Sequence, residues 1–321
     1  MNCARFSVAW LAYGFALLPA FAVEVGDIVV VRESTTLVRD SKSVDIVGPG
    51  QLFTVLNING KHLWVSRGRP GWIADSNVIK LDAAEGYFGR VFATGAGASD
   101  YLARGNARIA SGKTEVGLGD LKRAVELASD KQPYRESLGF AQLRTADPEA
   151  ALATFNQALK LTSAASSLMG RGLAYFQMGR NEEACADFRQ AIEQQPDHAF
   201  PRKYYGAALH EMSQHEAALS QLTRAKELDG FDAFTQKALG RLLFDMQRYD
   251  DSLRHFQQAC MLDKTDVESI VGRGVVLHAI GHDLKGAKAE FELAIKLSKP
   301  EYDTAHLYSN LGVHPALSWV W

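Results

Sequence analysis

Cysteine, net charge and long apolar runs are all scarce in this chain, and each of these features excludes a class of structure or of binding partner. Three cysteines in 321 residues are too few for a disulfide framework. Lysine and arginine number 35 against 37 aspartates and glutamates, so the formal net charge is −2 and nothing draws the whole molecule toward nucleic acid or anionic lipid. Beyond residue 21, no segment is long and apolar enough to cross a bilayer.

Recognisable catalytic motifs are missing as well. His278 and His282 are four residues apart and could share a helix face, as zinc-binding histidines do. The glutamate that a zinc peptidase places between its histidines is absent, and Gly281 predicts that the helix ends between the two, so an incidental pair is favoured. No paired carboxylates, catalytic triad order or glycine-rich phosphate loop stands out. We therefore expect no enzyme activity, no metal site and no cofactor.

Residues 1–22 have the pattern of a secretory signal peptide. Arg5 supplies a positive charge, residues 6–21 are almost wholly apolar, and Ala20-Phe21-Ala22 offers the small-x-small site of a signal peptidase. The sequence predicts export to the periplasm or the medium, with the mature chain beginning near Val23 and no membrane insertion after cleavage. The alternative is a retained anchor, which is disfavoured because the run is shorter than the roughly twenty residues that a bilayer requires.

An internal repeat dominates the rest of the chain. Six glycines recur at intervals of 33 or 34 residues: Gly105, Gly139, Gly172, Gly206, Gly240 and Gly274. A bulky apolar residue follows each glycine, and an alanine comes three positions later: Leu121 and Ala124, Phe155 and Ala158, Phe188 and Ala191, Leu222 and Ala225, Phe256 and Ala259, Phe291 and Ala294. Such a period is typical of a solenoid. A bulky residue and an alanine on one helix face, opposite a glycine on the preceding helix, predict two closely packed antiparallel helices per copy.

The third copy carries a likeness to a known family. It reads Arg171-Gly172-Leu173-Ala174-Tyr175, followed by Gly179-Arg180, Ala184, Asp187-Phe188, Ala191-Ile192 and Pro196. These residues resemble the tetratricopeptide repeat, and six copies in register over residues 98–300 extend the resemblance over roughly two thirds of the chain. The resemblance implies a mainly α fold, a right-handed solenoid of about six helical hairpins that holds a protein or peptide partner.

Residues 23–82 have the two-residue period of strands. A β-branched run over residues 27–32, alternation over residues 52–57 and the hairpin signal Asn59-Gly60 predict a small five-stranded barrel. A resemblance to bacterial SH3-like domains rests on Gly26-Asp27, Gly50, Trp64-Val65, Gly71-Trp72-Ile73 and Ser76-Asn77-Val78. The acidic aromatic motif with which SH3 domains bind proline-rich peptides is absent after the first strand, so that activity is not expected.

Trp64 and Trp72 have two alternative roles in this barrel. They could form a groove together with Phe53, with His62 at its edge, for a glycan or a peptide. A domain this small also needs its large aromatic side chains in its core, and for that reason burial is the favoured role.

Two short segments flank the repeats. Phe88 and Val91 stand where a second helix would have its bulky residue and its alanine, so residues 83–97 are expected to form a capping helix followed by a hinge. Residues 301–321 restart the pattern of a first helix and end in an apolar tail with two tryptophans. We expect this segment to cap the last repeat; the alternative is self-association or partner binding through exposed aromatics.

The inner face of the solenoid is the predicted partner site. In this architecture the residues six and three before each glycine, and one and four after it, face a ligand. In the fourth and fifth copies they interleave cations with aromatics, which suits an extended peptide with carboxylates and apolar side chains. The predicted contacts are Lys203, Lys237 and Arg241 as electrostatic anchors, with Phe200, Phe234, Phe244 and His210. The alternative is a solvated face of mixed charge, because Glu211 and Asp245 are near in sequence.

Cys185 and Cys260 are the two cysteines beyond the signal segment. They belong to second helices two copies apart, which is farther than a disulfide reaches, so both are predicted to be buried as small hydrophobes.

These patterns predict an exported, non-catalytic adaptor that binds a protein partner on its solenoid. A second hypothesis is an envelope protein whose barrel binds cell-wall glycan while the repeats act as a spacer. A third is an accessory subunit of an envelope enzyme.

Overall fold

The computed structural model describes residues 23–66, 71–281 and 283–298. The predicted signal segment, the C-terminal segment 301–321 and His282 lie outside the described residues, so the expectations for them stay predictions.

An antiparallel seven-stranded sheet forms the N-terminal part of the chain. Its strands are β1 (Ile28–Val31), β2 (Thr35–Arg39), β3 (Lys42–Val47), β4 (Leu52–Asn59), β5 (His62–Ser66), β6 (Gly71–Ala74) and β7 (Val78–Lys80). Their order across the sheet is β3-β2-β6-β5-β4-β1-β7. A short 3-10 helix, Asp75–Asn77, leads into β7. Alternation along the strands places one face in a core that includes Val29, Val55 and Val65, each with no exposed surface.

The sequence predicted five strands and the described residues form seven; no sequence signal was assigned to β2 or β3. They pair as a hairpin through a turn at Asp40 and Ser41, whose φ angles are 51° and 60°. Glycine is the usual residue in a turn with two positive φ angles, and its absence here removed the sequence signal. The predicted hairpin at Asn59-Gly60 is present and joins β4 to β5.

Thirteen α-helices lie among the described residues. They are α1 (Ala84–Thr94), α2 (Ala98–Ala110), α3 (Thr114–Leu127), α4 (Gln132–Arg144), α5 (Pro148–Leu161), α6 (Ala165–Gln177), α7 (Asn181–Gln194), α8 (Ala199–Glu211), α9 (His215–Leu228), α10 (Ala233–Asp245), α11 (Tyr249–Leu262), α12 (Val267–Ile280) and α13 (Leu284–Leu297). From α2 onward they pair into six hairpins, each with a first helix and a second helix. None of the described helices is long and apolar enough to cross a membrane.

The repeated glycine and bulky residue meet where the two helices of a hairpin cross. A Cβ added at Gly172 would lie 2.8 Å from a ring carbon of Phe188, whose side chain is fully buried. A second contact joins one hairpin to the next, since a Cβ at Gly170 in α6 would lie 2.1 Å from the ring of Phe155 in α5. The bulky residue thus packs within its own repeat, and a residue such as Phe155 also packs against the following repeat.

Three of the six hairpins also carry an ion pair between their two helices. Arg171 in α6 donates two hydrogen bonds of 2.8 Å to Asp187 in α7, and the Asp187 side chain is only 4% exposed. Arg104 and Asp120 repeat this bidentate geometry in the first hairpin, and Arg273 pairs with Glu290 in the sixth. The arginine precedes the repeated glycine and the acid precedes the bulky residue, so the pairing follows the repeat.

The sheet packs directly on the start of the solenoid. β1 is buried on both sides, because Val29 and Val31 face the core of the sheet while Val30 packs with Phe88 of α1 and Ala103 of α2. At Gly50, where φ is +78°, a Cβ would lie 2.8 Å from the Cα of Ala103. Residues 95–97 join α1 to α2, two helices that pack against each other.

Candidate functional site

The inner face of the solenoid is built from the first helices of the hairpins. Consecutive first helices contact each other in series, from α2 and α4 through to α10 and α12. The predicted contact positions fall on these helices, and those of the fourth and fifth hairpins lie on α8 and α10.

An aromatic cluster occupies the middle of this face. The ring centroid of Tyr204 lies 4.9 Å from that of Phe200 and 4.8 Å from that of Phe234. Tyr204 also stacks on the buried Phe188, with a centroid distance of 6.2 Å. Burial of the Tyr204 hydroxyl raises its pKa to about 12, with a smaller contribution from the charge of Asp232. The cluster therefore brings two predicted contact residues together around a third aromatic that joins the repeats.

Sequence reasoning missed Tyr204, although a signal was present. The residue two positions before the repeated glycine is small in the other copies, being Ala103, Ser137, Gly170, Ala238 and Gly272. In the fourth copy it is Tyr204, which fills the space that those small residues leave over the preceding bulky side chain.

Lys203 sits on this cluster but already has a counter-ion. Its ammonium nitrogen lies 5.4 Å from the ring centroids of Tyr204 and Phe234, and 2.8 Å from Oδ1 of Asp232. The Lys203 side chain is 16% exposed. Burial would raise the pKa of Asp232, but attraction and hydrogen bonding to Lys203 outweigh burial and hold that pKa below its usual value.

Lys237 repeats this arrangement one hairpin later. Its ammonium lies 3.2 Å from Oδ2 of Asp266 and 2.8 Å from Oε2 of Glu268, and its side chain is 18% exposed. Burial would lower the pKa of Lys237, yet the hydrogen bond to Glu268 and the charge of Asp266 raise it above its usual value. Asp232 and Asp266 are the residues before α10 and α12, so each lysine binds the N-terminal end of the next first helix.

Arg241 is the most exposed of the three predicted anchors. Its side chain is 58% exposed, and its nearest carboxylate oxygen, on Glu211, is 3.6 Å away. His210 is 11% exposed and lies 2.7 Å from Oδ2 of Asp245, again between α8 and α10. Phe244 is half-buried, with Tyr249 at 5.4 Å.

Of the predicted groove residues, Trp64, Trp72 and His62 lie on the outer face of the sheet, whereas Phe53 is buried in its core. The favoured expectation that the two tryptophans form the core is wrong. Trp64 and Trp72 are directly opposite each other on β5 and β6, half-buried, with ring centroids 5.1 Å apart. Strand alternation decides this, because Leu63 and Ile73 take the inward positions. His62 is exposed, two residues from Trp64 and therefore on the same face.

Within the described part of the chain, no group of three or more histidine, cysteine, aspartate or glutamate side chains could hold a metal ion. Cys185 and Cys260 are free and buried, as predicted, and burial raises the pKa of both thiols. A raised thiol pKa means little thiolate and low nucleophilicity.

Comparison with known proteins agrees with this repeat geometry. The tetratricopeptide repeat family model matches residues 136–199 and 169–233. Residues 136–233 thus match tetratricopeptide repeats, and the described helices have a tetratricopeptide-like arrangement. No curated protein matches the sequence.

Several solved structures share the tetratricopeptide solenoid. The Cut9-Hcn1 hetero-tetramer of the APC/C superposes with a TM-score of 0.65 at 14% identity over 71% of this chain, which spans 45% of that chain. A tetratricopeptide repeat protein from Parabacteroides merdae superposes with a TM-score of 0.53 at 18% identity, and the match covers 68% of this chain and 87% of the other. A thermophilic tetratricopeptide protein of Thermus thermophilus superposes with a TM-score of 0.51 at 18% identity, and the match covers 57% of this chain and 100% of the other. Identities this low show the fold alone.

Proposed function

We propose that this chain is a non-catalytic adaptor that holds a partner polypeptide on the inner face of its tetratricopeptide solenoid. One observation carries the proposal: the fourth and fifth repeats present half-buried Phe200 and Phe234 and the exposed cation Arg241 on one face. Aromatic residues and arginine are enriched in interaction surfaces. The partner segment is an extended peptide with apolar side chains and a carboxylate.

Arg241 is the anchor in this proposal, and the two lysines organise the face. Lys203 and Lys237 are each less than one fifth exposed and bound to carboxylates, so a partner would have to displace Asp232 or Asp266 to use them. The 3.6 Å contact of Arg241 with Glu211 is exposed to water and costs little to exchange for a partner carboxylate.

The test is selection of random displayed peptides on the purified full chain, followed by affinity measurement with variants. Arg241→Glu should weaken the selected peptides about tenfold or more, since it replaces an ion pair by a like-charge contact. Arg123→Glu is the matched control, because Arg123 is 52% exposed and pairs with surface Glu126 on a second helix.

The control variant should bind like the parent, and circular dichroism should show that both variants fold alike. Selected peptides that bind the Arg241→Glu variant as tightly as the parent would exclude the inner face as the site.

A second candidate function belongs to the N-terminal sheet. Trp64 and Trp72 pack edge to face on its outer surface, half-exposed, with His62 nearby. Sugar rings stack on exposed aromatic faces, so the pair supports cell-wall glycan binding with the repeats as a spacer. The 3-10 helix before β7 and the pairing of β7 with β1 support an SH3-like identity for this sheet.

This second function is tested by retention on purified cell wall. Trp72→Ala should reduce retention severalfold while Arg241→Glu leaves it unchanged. Equal retention of the Trp72→Ala variant and the parent would reject a glycan site on this face.

We also propose that the chain is exported. Support comes from the charge, apolar run and small-x-small site of residues 1–22. Mass spectrometry of the protein recovered from its native cell should find an N-terminus near Val23 in the envelope or the medium; an intact Met1 terminus in the cytosol would contradict the proposal.

A further inference from the structure

A cleft opens between two second helices on the outer side of the solenoid. Its walls are α9 and α11, and Leu239 of α10 also lines it. The polar side chains around it are Thr223, Lys226, Arg248, Asp251, Arg254, His255 and Gln258. Three of these carry a positive charge and one a negative charge, so the cleft is cationic whenever His255 is neutral.

Lys226 stands out against the repeat that contains it. It directly follows the repeated alanine of its second helix, a position where the other copies have Val125, Leu159, Ile192, Cys260 and Ile295. Five apolar residues show that this position faces the interior between repeats. The fourth copy places an ammonium there, and Lys226 is half-buried.

Within residues 23–66, 71–281 and 283–298, the side chain of Lys226 forms no hydrogen bond and no ion pair, so no carboxylate of these residues neutralises it. Among the lysines and arginines of those residues that are buried or half-buried, Lys226 alone has an unpaired side chain. Lys203 and Lys237, which are also half-buried, each bind a carboxylate. An unpaired cation in a half-buried position is costly unless a ligand supplies the opposite charge.

The charges around Lys226 do not supply that partner. The single acid of the cleft, Asp251, already accepts hydrogen bonds from Arg248 and Arg254. His255 donates from Nδ1 to Gln236 on α10 at 2.7 Å. Burial, followed by the positive charge of Lys226, lowers the pKa of His255 to about 4, so the ring is uncharged near neutral pH. The field inside the cleft is therefore positive.

We propose that this cleft binds an oxyanion, a carboxylate or a phosphate-type group, with Lys226 as its principal contact and Arg254 at its rim. The hydroxyl of Thr223 adds a hydrogen-bond donor beside the cation. This site is separate from the inner-face site, because α9 and α11 are second helices and the partner surface lies on first helices.

The experiment is an NMR titration of the full chain at constant ionic strength. The probes are sodium sulfate, which keeps its charge over the whole pH range, and a triglutamate peptide; sodium chloride is the reference. Sulfate should shift the amide signals around Lys226 and raise the pKa of His255 by about half a unit or more, because a bound anion favours the imidazolium. The His255→Gln variant assigns the ring signal.

Two substitutions test the assignment to Lys226. Lys226→Met should abolish the sulfate-dependent shifts, and Arg254→Gln, at a 71% exposed position, should weaken binding severalfold without affecting folding. Lys160→Gln on α5 is the matched control, an exposed second-helix lysine that should leave binding unchanged.

Binding of triglutamate but not sulfate would assign the site to carboxylates carried on a polypeptide, and binding of sulfate alone would assign it to phosphate-type anions. The proposal is overturned if neither probe shifts the signals near Lys226 more than chloride does. It is also overturned if Lys226→Met and Arg254→Gln both bind as the parent does.

Discussion

Histidine side chains in this protein show how neighbours decide the chemistry of one residue type. His210 lies beside the carboxylate of Asp245, whereas His255 lies in a half-buried cleft among cations. Burial and the neighbouring positive charges disfavour the imidazolium form of His255 and lower its pKa.

The shifted pKa of His255 predicts a pH dependence of stability. The folded pKa is about 4, below the unfolded value of about 6.5. Between these two pH values His255 is protonated in the unfolded chain and neutral in the folded chain. Stability should fall as pH drops from 7 to 5, by about 1 kcal/mol from this residue once the partial exposure of the ring is allowed for.

Urea unfolding at pH 7 and pH 5 measures this effect. His255→Gln retains a hydrogen-bonding group without a titrating ring, and it should lose less stability between the two pH values than the parent. Equal losses in the two proteins would mean that His255 titrates alike in the folded and unfolded chains.

A buried ion pair makes a second prediction at the level of single residues. Asp187→Ala leaves the Arg171 guanidinium without its bidentate partner between two helices, and should destabilise the protein by about 2–3 kcal/mol. Glu126→Ala removes the partner of Arg123 in an exposed pair and should change stability by less than about 0.5 kcal/mol. Thermal and urea unfolding compare the two, and a similar cost for both substitutions would refute the distinction.

Helix pairs depend on where glycine occurs and on what lies opposite it. Phe155 is enclosed by Gly139 of its own hairpin and Gly170 of the next, and Phe256 is enclosed by Gly240 and Gly272 in the same way. Gly119 of α3 is also a glycine inside a helix, yet a Cβ added there would meet nothing within 4 Å. The packing role of a glycine therefore comes from the facing helix.

This contrast predicts opposite effects of one substitution. Gly170→Ala should destabilise the protein by about 1–3 kcal/mol, because its Cβ would overlap the buried Phe155 ring. Gly119→Ala should stabilise it by about 0.5–1 kcal/mol, since alanine is the better helix former and nothing obstructs its methyl group. Urea unfolding followed by circular dichroism measures both. A stabilising Gly170→Ala would show that the repeats separate easily at α5 and α6.

At the scale of the molecule, the sheet and the solenoid form a continuous packed structure. Val30 has no exposed surface, and the side that faces away from the core of the sheet is covered by Phe88 and Ala103. The same β-strand thus contributes to two cores.

The shared strand predicts coupled loss of structure. Val30→Ala should remove apolar contacts on the α1 and α2 side and destabilise the junction by about 1–2 kcal/mol. Hydrogen exchange should then accelerate together in β1, α1 and α2 while α10 and α11 are unaffected. Exchange that increases in β1 alone would show that the sheet and the first repeat unfold independently. Val38→Ala, at a 38% exposed position of β2, is the control and should leave the junction protected.

The sequence alone determined the repeating part of this protein. Glycine, bulky residue and alanine recur at one spacing, and their contacts are made within a hairpin of about thirty residues, so a linear pattern records them. Strand alternation and the Asn59-Gly60 turn likewise record local geometry, which is why the hairpin of β4 and β5 was predictable.

Only the tertiary structure decided what the polar and aromatic side chains do. Lys203 pairs with Asp232, and Lys237 pairs with Asp266, across neighbouring repeats. These pairs depend on the position of the next first helix, which the stacking of repeats determines and the sequence of one repeat does not. Register between β5 and β6 put Trp64 beside Trp72 on the outer face. Lys226 has no partner among the described residues, because the charged side chains around it, on and next to the neighbouring helix α11, are cations and an already paired acid. Contacts between repeats depend on the rotation from one hairpin to the next, and that rotation is a property of the packed solenoid.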